Sequence, residues 1–128
     1  MGIGTVWVYA EAYEGKISGI TLEILTKARE IADEVACVIG GDGAAVAAEL
    51  GEYGAGKVYS TGDLGEQLPG VPVASAIAAQ IAGGNAPAAI LFGTTYDGRD
   101  VAGRLSAKAD LPVITNVVDI DVDGDRLV

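Results

Sequence analysis

The chain has 128 residues, half of them hydrophobic and only 5% aromatic, so it is long enough for one cored domain and too apolar for a disordered one. Its formal net charge of -10 argues against nucleic acid and anionic membrane surfaces, which select basic patches. There is no histidine, which removes the commonest general base, the Ser-His-Asp triad and His-ligated metal sites, and the single cysteine, Cys37, cannot form an internal disulfide.

The amino-terminal run Val6–Ala10 (VWVYA) predicts a strand covered on both faces, because its apolar residues are continuous rather than alternating. Trp7 and Tyr9 read as core or domain-interface residues. After the loop EAYEGKISG, Ile24, Leu25, Ala28, Ile31 and Ala32 recur at helical spacing and predict a helix over 21–33, with Glu23 and Lys27 as an i,i+4 pair on its wet side. Val35–Ile39 is a second buried strand, and Cys37 within it reads as a structural thiol. Asp42 of GGDG is placed to cap a helix over 44–50. A short strand over 57–61 and a glycine-rich loop follow, then a helix with Pro72 in its first turn, Ile77, Ala78 and Ile81 on its apolar face, and Gly83 at its end. Ala88–Phe92 predicts a fourth strand, residues 98–109 a helix burying Val101, Ala102, Leu105 and Ala109, and 113–118 a fifth strand after Pro112. The pattern then alternates, and Asp123-Gly124 marks a hairpin turn. The returning strand has only begun at Leu127 and Val128, so the chain is expected to be a fragment of something longer. Strand and helix alternate throughout, which predicts an α/β three-layer sandwich: a mainly parallel sheet, helices on both faces, and an antiparallel hairpin at the C-terminal edge. The start of the chain lacks the features of a signal peptide, and no apolar run reaches the roughly 18 residues that span a membrane.

The motif that invites a ligand is ILFGTTYDGRDVAGRL, residues 90–105. Gly93 and Gly98 have the spacing of a phosphate-binding loop, whose next residues should be Lys and then Ser or Thr. Here they are Arg99 and Asp100, and Asp100 supplies negative charge where a magnesium-binding hydroxyl is needed. A P-loop NTPase is therefore excluded. In its place, Asp97 is expected to cap the helix, Gly98 to permit close backbone approach, and Asp100 to complement the positive helix end. A weaker nucleotide site remains conceivable from Gly93, Thr94, Thr95 and Gly98, since open α/β sheets bind ligands beyond the carboxyl ends of their strands. Asp119, Asp121, Asp123 and Gly124 match the start of a calcium loop, but Ile120 and Val122 alternate like a strand, which makes the carboxylates solvent-facing edge residues and no metal ligands. Glu11 and Glu14 could form a carboxylate pair, with no third group beside them.

The segments VWVYAE, LEILTKAREIADEVACVIGG, LGEYGAGKVYS and, above all, ILFGTTYDGRDVAGRLSAKADLPVITNVVDI resemble the N-terminal domain of the electron transfer flavoprotein alpha subunit, in order and over essentially the whole chain. Thr115-Asn116-Val117 stands where the family usually has T-D-V. The resemblance implies one domain over 1–128, of nucleotide-binding (adenine nucleotide alpha hydrolase-like) type, that holds no cofactor of its own. It implies an alpha–beta heterodimer passing electrons from dehydrogenases to a membrane quinone oxidoreductase or another acceptor. FAD would sit mostly in a C-terminal alpha domain absent here, and AMP in the beta subunit of many members. On this reading the chain is a scaffold and no enzyme, and a bacterial cytoplasm or an equivalent reducing compartment fits it. Arg99, Asp100 and Arg104, on the charged face of one helix, become candidates for contacts to the beta subunit or the missing domain. The alternatives are a stand-alone AMP- or ATP-binding α/β domain and, with less support, an enzyme using Glu11 and Glu14 as acid and base.

Overall fold

The computed structural model describes residues 3–41, 43–44, 46–62, 64, 67–114, 119–120, 122–123 and 126–127. Strand β1 (Thr5–Ala10) leads through a small antiparallel hairpin, β2 (Ala12–Tyr13) and β3 (Lys16–Ile17), into helix α1 (Gly19–Ile31). Then come β4 (Glu34–Ile39), α2 (Ala47–Glu52), β5 (Lys57–Ser60), α3 (Gly70–Ala82), β6 (Ala89–Leu91) and α4 (Tyr96–Ala109). A second hairpin pairs β7 (Val122–Asp123) with β8 (Arg126–Leu127). The main sheet is entirely parallel, in the order β5-β4-β1-β6.

The continuous apolar runs of β1 and β4 are explained by burial on both sides. Along β1, Val6, Val8 and Ala10 join Leu25 and Ala28 of α1 and Leu50 of α2 in one core, with Val35, Cys37 and Ile39 of β4. Trp7 and Tyr9 point the other way, with Ala36 and Val38, against Val73, Ala74 and Ile77 of α3 and Val101 and Leu105 of α4. The period-2 alternation of a strand thus distributes one apolar run between two helical layers. Trp7 and Tyr9 are core residues, 2% and 3% exposed. Trp7 packs on Tyr59 at a ring separation of 5.4 Å and Tyr9 on Phe92 at 5.8 Å, both tilted.

The three-layer α/β sandwich with its parallel sheet is as expected from the sequence, and several local expectations are corrected. The Ser18 side chain caps α1, accepting from the Thr21 amide at 3.3 Å, so the helix starts at Gly19 and ends at Ile31, where Ala32 is already extended. Lys27 pairs with Glu30 at 2.9 Å and with Asp119 at 3.0 Å, not with Glu23. The second helix is only six residues long, and its proposed cap Asp42 lies outside the described residues. Pro72 does lie in the first turn of α3, and Gly83 closes it by donating to the Ala79 carbonyl at 3.0 Å. At the end of α4 the chain turns at Asp110, which adopts the left-handed conformation (φ 54°) two residues before Pro112. Of the expected fifth strand, Val113 and Ile114 are exposed and pair with no strand among the described residues, and 115–118 lie outside them. An apolar run reads as a strand from propensity alone, whereas a strand also needs a ladder partner.

Candidate ligand crevice

The strand order creates one distinctive place. From β1 the chain passes to α1 on one face of the sheet, and from the neighbouring β6 it passes to α4 on the other. Between β1 and β6 the connections diverge, and open α/β sheets bind ligands at such switch points, beyond the carboxyl ends of the strands. The residues that arrive there are Glu11, directly after β1, and the loop Gly93–Gly98, after β6.

The loop is shaped by its two glycines, and for a different reason than a phosphate. A Cβ on Gly98 would lie 2.2 Å from the Gly93 carbonyl oxygen, so the strand end and the first turn of α4 touch backbone to backbone. A Cβ on Gly93 would lie 3.0 Å from Ile20 and 3.4 Å from the Glu11 carboxylate. The glycine spacing thus lets the loop close on itself. Thr95, not Asp97, is the N-cap: its Oγ1 accepts from the Gly98 amide at 2.9 Å, and α4 begins at Tyr96. Asp97 sits in the first turn, where its charge suits the helix N-terminus without capping it.

The same Thr95 hydroxyl donates to Glu11, with Oε1 and Oε2 at 2.8 and 2.9 Å. Having a single proton, it shares it between the two oxygens. Glu11 is itself held from behind. Its amide donates to Thr21 Oγ1 at 2.9 Å, and its carbonyl accepts from the Ser18 amide at 2.8 Å. Thr21 is fully buried and also bonds Ser18 Oγ at 2.9 Å. Burial raises the Glu11 carboxyl above its ordinary value, the Thr95 hydrogen bond opposes that rise, and the nearby Asp97 charge adds to it. Burial, followed by the Glu11 charge, likewise raises the Tyr9 phenol.

The remaining sequence candidates separate. Thr94 is exposed, next to the Thr95 hydroxyl that clasps Glu11. Glu14 is exposed in the β2–β3 turn at φ 52°, while Glu11 faces inward, so the two do not share an environment. Arg99 is exposed on α4. Asp100 and Arg104 form an ion pair at 2.8 Å and lie over the start of α3, where a Cβ on Gly70 would collide with the Asp100 carboxylate. Asp100 therefore complements the positive end of α3 and not that of its own helix. Cys37 is buried, and burial pushes its thiol up to about 12. Among the described residues no cluster of His, Cys, Asp and Glu could hold a metal ion; Asp121 and Gly124 of the calcium-like run lie outside them. What sequence reading missed is the Ser18–Thr21–Glu11–Thr95 chain. Its only local sign is Ser18 three residues before Thr21, the spacing of a helix cap.

A cleft of about 280 Å³ opens at this point, lined by Glu11, Thr95 and Ser18 themselves together with Tyr9, Gly40 and Asp97. A larger one, about 530 Å³, opens at the amino ends of the strands beside Arg29, Lys57 and Asn85, away from the switch point. No described helix is long and apolar enough to cross a membrane.

Fold and crevice define a three-layer α/β domain of nucleotide-binding type in which Glu11 and Thr95 are hydrogen-bonded across the switch point. Comparison with known proteins identifies the family: the model of the Electron transfer flavoprotein domain matches residues 6–128, and the chain belongs to that family. It is 35% identical over 123 residues to the electron transfer flavoprotein subunit alpha of Syntrophomonas wolfei, covering 94% of this chain and 38% of that protein. It is 34% identical over 116 residues to the subunit alpha of Mycobacterium leprae, covering 88% of this chain and 36% of that one. The acryloyl-CoA reductase electron transfer subunit beta of Anaerotignum propionicum is 27% identical over 128 residues, with 96% of this chain and 35% of that protein covered. The chain thus spans little more than a third of the length of these relatives. The family resemblance read from the sequence holds, and it is favoured over a stand-alone AMP- or ATP-binding domain.

Proposed function

We propose that these residues are the scaffold domain of an electron transfer flavoprotein alpha subunit, a component of an electron carrier with no catalytic role of its own. The observation that carries this reading is the family match over residues 6–128, with relatives named as alpha subunits. On this reading residues 1–128 form one domain, and FAD is held by a further alpha domain together with a beta subunit that carries AMP in its own related fold. The assembled heterodimer takes electrons from dehydrogenases and delivers them to a quinone oxidoreductase or another respiratory acceptor, and it works in the cytoplasm.

Within that assembly the chain would contribute a surface. Arg99, exposed at the start of α4, is the strongest of the three interface candidates, because Asp100 and Arg104 already bond one another. The test is coexpression with the beta subunit. The 128-residue chain alone should be colourless, and a stoichiometric flavin absorbance on it would refute the scaffold reading. Charge reversal at Arg99 and Arg104 should weaken capture of the beta subunit or of the rest of the alpha chain. Unchanged assembly with both would remove these residues from the interface.

A further inference from the structure

We propose that the switch-point cleft is an acceptor site for an arginine side chain of a protein partner, with Glu11 and Asp97 as its counter-charges and the Tyr9 phenol as a further hydrogen-bonding group. The site goes beyond the electron-transfer reading and does not rest on it.

The cleft carries one sign of charge. Glu11 and Asp97 are both half-buried and both line it, and its lining contains no lysine or arginine. Lys16, paired with Tyr13 across the β2–β3 hairpin, and Arg99, further along α4, are exposed and lie outside that lining. Neither carboxylate forms an ion pair among the described residues. Glu11 also keeps capacity for a ligand. The Thr95 hydroxyl gives it one proton, whereas a carboxylate offers about four acceptor positions. From β1, α1 and α4 it is faced by Tyr9, Thr21 and Asp97, none of them basic. Burial and the Asp97 charge both disfavour its ionised form, and an incoming cation would relieve that cost.

An independent observation is the Tyr9 phenol. Tyr9 is only 3% exposed, yet its hydroxyl makes no hydrogen bond among the described residues. No fully enclosed side-chain polar atom of those residues lacks a partner, so the Tyr9 oxygen reaches the cleft that the residue lines. Buried hydroxyls are ordinarily bonded, and this one can accept from a guanidinium N–H. Size and rim indicate the source. Drug-sized ligands occupy roughly 300–1,000 Å³, so a cleft of about 280 Å³ suits a single side chain better than a cofactor. Tyr13 in the lining, Leu68 beside Pro69 and Tyr96 beside Asp97 are exposed. An acidic centre within an aromatic and aliphatic rim complements an arginine anchor and its apolar neighbours on another protein. Arginine fits better than lysine, because its planar fork bonds several acceptors at once and stacks on aromatic rings.

The test titrates the 128-residue chain with N-acetylarginine amide, which mimics an arginine within a protein, and follows the NMR resonances of the chain. N-acetylcitrulline amide has nearly the same shape without the charge, and free arginine adds a carboxylate. The arginine amide at millimolar concentration should shift the Glu11 and Asp97 carboxyl carbons. It should also lower the Glu11 carboxyl midpoint, because a nearby cation favours the ionised form. The citrulline amide should do neither, and free arginine should bind more weakly than the amide. Glu11→Gln, which keeps an acceptor for Thr95, and Asp97→Asn should each weaken binding by about tenfold, and Tyr9→Phe by less. Equal shifts at exposed carboxylates elsewhere, such as Glu23 and Glu34, would overturn the proposal, as would an equal response to the citrulline amide. Tighter binding of free arginine would assign the cleft to a small molecule and overturn the protein source. Full affinity in a folded Asp97→Asn chain would also overturn the proposal, and this variant decides if Glu11→Gln does not fold.

Discussion

Gly98 offers a sharp test of the loop's construction, because the same helix contains a glycine in the opposite situation. Replacing glycine by alanine inside a helix ordinarily stabilises a protein by about 0.5–1 kcal/mol, through the unfolded chain's lost freedom. Gly103, where an added methyl would meet nothing within 4 Å, should show that gain. At Gly98 the added carbon would lie 2.2 Å from the Gly93 carbonyl oxygen, and backbone cannot turn aside as a side chain can. The strand end and helix start would have to part by about an ångström, at an overpacking cost of about 1–3 kcal/mol. Parting them also strains the Thr95–Gly98 cap bond, and losing a helix cap costs about 0.5–2 kcal/mol. Less the helix-propensity gain, Gly98→Ala should destabilise by about 1–4 kcal/mol, or roughly 4 °C in Tm for each kcal/mol in a domain of this size. Urea unfolding of both variants measures this directly. If Gly98→Ala matches Gly103→Ala in sign, or falls within about 0.5 kcal/mol of the unaltered chain, the backbone-contact explanation of the glycine pair is wrong.

Other perturbations probe the core and the surface. Leu25, fully buried between α1 and the sheet, should cost about 2–5 kcal/mol when cut to alanine, whereas Leu68→Ala, at a position 76% exposed, should stay within about 0.5 kcal/mol by the same denaturation assay. Cys37 should react with a thiol reagent at neutral pH only as fast as the protein opens, because its thiol is buried and raised to about 12; free-thiol rates in the native state would contradict its placement. The Lys27 ammonium, hydrogen-bonded to Glu30 and Asp119, is raised, and the Asp119 carboxyl is lowered by Lys27. Asp119 therefore contributes stability above the ordinary carboxyl value and loses it as pH falls through the lowered one. Lys27→Met should flatten that acid limb of the Tm–pH curve, and added salt should do the same in the unaltered chain; parallel curves for the two proteins would show that the pair contributes nothing.

Some of this architecture is open to reading because it is periodic. Val6–Ala10 and Val35–Ile39 are continuous apolar runs, and only a strand covered on both faces needs that. Leu25, Ala28 and Ile31 recur at helical spacing, and all three are buried. The errors fall where the deciding partner is distant. A local window sets Asp97 and Asp100 against their own helix, since it contains no other. The fold gives the cap to Thr95 and sets Asp100 on the start of α3, some thirty positions earlier in the chain. Helical spacing pairs Lys27 with Glu23, but Asp119 reaches it from the far end of the chain.

The amino-acid sequence by itself determined the α/β class, the two apolar faces and the family, because these depend on the residue pattern along the chain. It also spoke against a P-loop at Arg99-Asp100, since an aspartate cannot do the work of a magnesium-binding hydroxyl. Tertiary structure alone decided what meets at the crevice. Glu11 is one acidic residue in a loop and Thr95 one hydroxyl in another. They become a clasp only when the order β5-β4-β1-β6 sets the ends of β1 and β6 side by side. Hydrogen bonds of about 3 Å depend on positions in space, and the separation of their partners along the chain does not reveal them.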